Sequence, residues 1–174
     1  MKKLNPLGVI ILKIIHIFFA VLWIGGGIAL LVVLFSVTPL NGDELYMKSR
    51  ILQIIDDFLI IPGAITSFFI GVVYGIWTNW GFFKHRWITV KWIVTVAQIL
   101  FGTFALGPWI NENVEIANQF RDAALDNAIL LQNIEMSKIW GTIQVLLLVL
   151  VFIVISVLKP WKGKRKKTNK KQEL

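Results

Sequence analysis

Four apolar runs, near residues 7–37, 58–79, 87–110 and 139–158, alternate with short polar stretches along the chain. Each holds about twenty residues or more, enough at roughly 1.5 Å per residue to cross about 30 Å of hydrocarbon as a helix. The pattern predicts an all-α integral membrane protein with four transmembrane helices in an antiparallel bundle. Residues 1–160 form the membrane domain, and 161–174 form a lysine-dense tail without apolar periodicity. The first run follows Met1-Lys2-Lys3 like a secretory signal, but it is too long for one, and no small-x-small cleavage site follows. It reads as an uncleaved helix.

The polar stretches carry helical signals of their own. After Asn41-Gly42, Asp43 and Glu44 suit a helix N-terminus, and Leu45, Leu52, Ile55 and Leu59 recur at helical spacing. Helix two therefore starts near 43, and Pro62-Gly63 loosens it inside the apolar run. Pro108 is expected to end helix three. Ile116, Phe120, Ala124, Ala128, Leu131 and Ile134 then form a stripe leading into helix four, so helices two and four extend beyond the outer membrane surface. The short connection 80–86 makes helices two and three antiparallel neighbours.

Composition agrees with lipid as the main solvent. Hydrophobic residues make up 56% of the 174 and charged residues 16%, against about a quarter charged in a typical soluble domain. The net charge of +8 is read first as a topology signal rather than as affinity for nucleic acid, for which no motif is present. The N-terminus, the loop Lys84-His85-Arg86 and the tail together carry +11. The other two connections carry −5, and Lys13 and Lys91 within the runs carry +2. The positive-inside rule places both termini and the His85 loop in the cytoplasm of a bacterial cell, with the tail on anionic lipid. Cysteine is absent, which removes thiolate metal sites and thiol nucleophiles. No phosphate loop, nucleophile elbow or HExxH pattern occurs.

Candidate chemistry lies on two stripes. Lys13, His16, Ala20, Trp23 and Gly27 share one face of helix one and continue into Leu30 and Leu34. Lys91, Thr95, Gln98, Gly102, Ala105 and Trp109 share a face of helix three. Ionisable groups within a span commonly face the bundle interior or a cavity. Lys13, His16 and Lys91 all fall in the cytoplasmic half, where the sequence offers no Asp or Glu. Two readings stay open for the lysines: an anionic ligand such as porphyrin propionates or a lipid phosphate, or ammonium groups that snorkel to the headgroups. For His16 the readings are a haem ligand, with bis-histidine ligation requiring a second protomer in a homo-oligomer, or a neutral imidazole bonded to a neighbouring helix. Two histidines without cysteine make no convincing protein-only zinc or copper site. Gly25-Gly26-Gly27 reads as a close-packing surface. Thr66, Ser67, Gly71, Tyr74 and Gln144 read as interhelical packing and hydrogen-bonding positions, and His85 as solvated. Trp80, Trp87, Trp109, Trp140 and Trp161 read as interface anchors.

The arrangement Lys13-x-x-His16 followed by Trp23-Ile24-Gly25-Gly26 resembles the first-helix signature of a group of small bacterial membrane proteins. The group comprises the HemJ-type protoporphyrinogen oxidases, the membrane part of the copper-resistance protein CopD, and integral membrane proteins of unknown function. The likeness runs through Arg50, Pro62-Gly63, Gly71, Trp87 and Lys91, over roughly residues 10–110. It implies that His16 is an axial ligand of haem b or another porphyrin and that Lys91 meets a propionate or substrate charge. The oxidase pattern has an arginine and a further histidine where this chain has apolar residues from Leu31 to Val37. Gly102 stands where another histidine belongs, so the uncharacterised branch is the nearer match. The functional expectation is a haem- or porphyrin-related binding or redox role. The alternatives are a non-catalytic structural or partner-binding membrane protein, or a transporter of small solutes or metal.

Overall fold

The structure, a computed structural model, describes residues 4–78 and 81–158. The basic tail, Lys2, Lys3, Trp80 and Trp161 lie outside the described residues. Four long helices account for nearly everything else: α1 (Pro6–Ser36), α2 (Gly42–Trp77), α3 (Arg86–Asp126) and α4 (Ala128–Leu158), all long and apolar enough to cross a membrane. The starts of α1, α2 and α4 follow from local chemistry. Asn5 accepts from the Gly8 amide at 2.7 Å ahead of Pro6, whose missing N–H is no loss at a first-turn position. Asn41 accepts from the Glu44 amide at 2.9 Å, and the Glu44 carboxylate reaches back to the Leu40 amide at 2.8 Å. This reciprocal cap satisfies two otherwise orphaned donors. Asn127 caps α4 through the Leu130 amide at 3.1 Å.

Two prolines lie within helices without breaking them. A π-turn at Asp56–Ile60 precedes Pro62, with the Ile61 amide donating to the Asp56 carbonyl. A second at Gly102–Leu106 precedes Pro108, with the Gly107 amide donating to the Gly102 carbonyl. Proline removes one bond of the α ladder and crowds the carbonyl four residues back; an i to i+5 turn just upstream shifts the register at that point. The expected end of helix three at Pro108 is therefore corrected. Helix continues through Phe120, a 3₁₀ turn spans Arg121–Asp126, and α4 begins at Ala128. The stripe from Ile116 to Ile134 is thus divided between two helices, and Leu130, not Leu131, is its buried member on α4. Helices α2, α3 and α4 run to 36, 41 and 31 residues, more than the roughly 20 needed to cross a bilayer.

Three apolar clusters stack along the bundle. At the far end from the termini, Leu45, Ala117, Ala124 and Leu130 close the tip; then come Leu30, Leu34, Leu52 and Ile110, and then Trp23, Ala64 and Leu148. Glycines set the crossings. A methyl group on Gly63 would lie 2.7 Å from the Trp23 amide nitrogen, and one on Gly42 would lie 2.2 Å from the Asp122 nitrogen. Of the Gly25-Gly26-Gly27 run, Gly26 meets Leu59 and Ile60 on α2, Gly27 meets Val145 on α4, and Gly25 faces open space. Large apolar side chains such as Phe18, Val32, Phe69, Ile93, Phe104 and Leu146 cover the outside, the arrangement a hydrocarbon solvent favours.

Candidate functional site

The inward stripe of α1 is built as its spacing predicts, with one departure. Trp23, Gly27, Leu30 and Leu34 are buried, and Ala20 and His16 are partly buried, but Lys13 is exposed. A step of three residues turns the helix by about 300°, not a full turn, and near the terminal end α1 is flanked mainly by α2, through the Leu4 amide to Trp77 carbonyl bond and Tyr74 against Val9. Lys13 thus falls outside the contact between helices.

His16 sits against α2. Its ring meets that of Tyr74 edge to face at 5.9 Å, and its Nδ1 atom is buried without a hydrogen-bond partner. Lys91 comes from α3. Its ammonium donates to the Ser156 hydroxyl on α4, which in turn donates to the Phe152 carbonyl. The same Nζ stands 5.7 Å from the ring centres of Trp87 and Phe152, within cation–π range. Phe152 meets Trp23 edge to face at 5.6 Å. A line of contacts therefore runs from Lys91 through Phe152 to the buried centre of the α1 stripe.

Further along α3, Thr95 and Gln98 are buried as their stripe predicts. Gln98 Nε2 donates to the Gln144 carbonyl at 3.1 Å and Gln144 Nε2 to the Gln98 carbonyl at 3.4 Å, which joins α3 and α4 reciprocally. His85, expected to be solvated, is partly buried at the N-terminus of α3 with its ring stacked on Trp87 at 6.2 Å.

Ser156 and Lys48 were not singled out by sequence reasoning. Ser156 is the lone polar side chain between Gln144 and Lys159, and a hydroxyl isolated in so long an apolar run signals an interhelical role. Lys48, assigned to a surface connection, is 6% exposed, and its ammonium donates to the Leu34 and Val37 carbonyls at 3.2 and 2.7 Å. Its position three residues after Leu45 and four before Leu52 puts it on the buried face of α2, where it satisfies orphaned carbonyls at the C-terminus of α1. No protein-family model, no curated protein and no solved structure matches the chain.

Proposed function

We propose that the chain is a multi-pass protein of the bacterial cytoplasmic membrane, with both termini cytoplasmic, whose terminal end binds haem b or another porphyrin between α1, α2 and α3. The observation that carries this reading is the buried, unpartnered Nδ1 of His16, a nitrogen that costs about 1–3 kcal/mol to leave unsatisfied. An imidazole nitrogen is a common axial ligand for haem iron, and the nearby Lys91 ammonium offers a charged donor for a propionate. The donor set therefore fits an iron porphyrin, and the group would supply one-electron chemistry at this end of the bundle. His16 would hold the iron, Lys91 would fix the carboxylate edge, and Tyr74 would flank the imidazole. The resemblance of helix one to the HemJ and CopD group supports the same reading, as does the charge asymmetry for the orientation.

Titration of detergent-purified protein with hemin tests it. The expected result is a Soret band that saturates at a fixed stoichiometry and is lost in His16→Ala. Protein that takes up no hemin, or a His16→Ala variant with an unchanged band, overturns it. A structural role for Lys91 is the second reading, favoured by its bond to Ser156 and its two aromatic neighbours. On that reading Lys91→Leu lowers stability and leaves hemin uptake intact.

A further inference from the structure

At the opposite end from His16, where α1 ends, all four helices meet around a cavity of about 10 Å³. Its polar wall is Ser49 from α2, Asn113 from α3 and Ser137 from α4, and its apolar wall includes Leu30, Leu34 and Leu52. Asn113 is 6% exposed and Ser137 4%, and Asn113 Oδ1 and Ser137 Oγ have no hydrogen-bond partner within the protein. Two buried orphaned oxygens lining one small space point to a guest able to bond both.

We infer that this cavity is a binding site for a single ordered water molecule that ties α2, α3 and α4 together behind the end of α1. The volume matches one water, which needs about 10–15 Å³ by this measure and makes about three hydrogen bonds when buried. The wall supplies that number. Ser49 Oγ commits its proton to the Leu45 carbonyl at 2.9 Å and retains lone pairs to accept. The water donates to Asn113 Oδ1 and to Ser49 Oγ, and it accepts from the Ser137 hydroxyl. A cation is disfavoured: the oxygens are neutral, and the Lys48 ammonium stands on the Leu34 carbonyl beside the same space. A larger polar ligand has no room.

The test uses the full chain, isotopically labelled in detergent micelles, and reads magnetisation transfer from water to the Asn113 side-chain amide protons. A transfer peak with the sign of a long-lived bound water is expected. It should persist in Ser137→Ala, which removes the hydroxyl and enlarges the space, and weaken at least fivefold in Ser137→Val, whose methyl groups fill it. Exchanging sodium for potassium should change nothing. No peak in the folded parent, equal loss in both variants, full persistence in Ser137→Val, or a peak that responds to the cation each overturns the proposal. Equal loss would assign the transfer to hydroxyl exchange at Ser137. Should Ser137→Val fail to fold, the parent and Ser137→Ala comparison decides alone.

Discussion

Gly63→Ala puts the crossing of α1 and α2 to a quantitative test. The new methyl carbon would stand 2.7 Å from the Trp23 nitrogen, 2.9 Å from the Phe19 carbonyl oxygen and 2.9 Å from the Trp23 Cα, where ordinary contact begins at 3.4 Å. All three obstacles are backbone atoms, so no rotamer change relieves them and the two helices must part by about half an ångström or more. Overpacking of this kind costs about 1–3 kcal/mol, and rigid backbone places this site toward the upper figure. Alanine returns up to about 1 kcal/mol of helix propensity, leaving a net loss of about 2 kcal/mol, or roughly thirtyfold in the unfolding equilibrium. Gly25→Ala is the matched control, because nothing lies within 4 Å of its added methyl and only the propensity gain acts. Reversible unfolding of micellar protein by sodium dodecyl sulfate, followed by far-ultraviolet circular dichroism, measures both. If Gly63→Ala equals or exceeds the parent in stability, α1 and α2 do not cross at Trp23.

Gly42→Ala pushes a methyl group against the backbone at Arg121 and Asp122 and breaks the 2.6 Å bond from the Gly42 amide to Asp122 Oδ1. Trypsin should then cut after Arg121 several-fold faster than in the parent, and equal rates would refute the docking. Lys48→Met strands the Leu34 and Val37 carbonyls, which costs about 1–3 kcal/mol. The same detergent titration should show it, and an unmoved midpoint would deny the cap. A reporter fused after Leu174 should behave as cytoplasmic and one inserted near Asn127 as external; the reverse pattern overturns the orientation.

Much of the fold was legible because single-helix periodicity survives in the structure. The Trp23, Gly27, Leu30, Leu34 face and the Thr95, Gln98 face need only the helical repeat, and the start of α2 needs only Asn41 and Glu44. What escaped depends on information a single helix does not carry. Pro108 terminates a helix only if the register upstream is strictly α, and the Gly102–Leu106 π-turn changes that register. Lys13 shares its stripe with His16 but lies where α1 has fewer neighbours. Ser49, Asn113 and Ser137 come from three helices and have no shared spacing, so their meeting is set by tertiary packing alone. At the terminal end, His16 and Lys91 were visible as ionisable residues in apolar runs, whereas the Ser156 contact required knowing that α4 passes beside α3.

The π-turn at Asp56–Ile60 lies where α2 changes neighbours. The segment Gly42–Ile55 of α2 packs chiefly on Gly107–Phe120 of α3, while Ile61–Trp77 packs chiefly on α1. A π-turn adds about one residue to a helical turn, so the faces on its two sides are offset by about 100°. Helix α2 is thus re-aimed partway along. The two halves of α2 serve different pairings, and the joint between them is a shift of one residue in register.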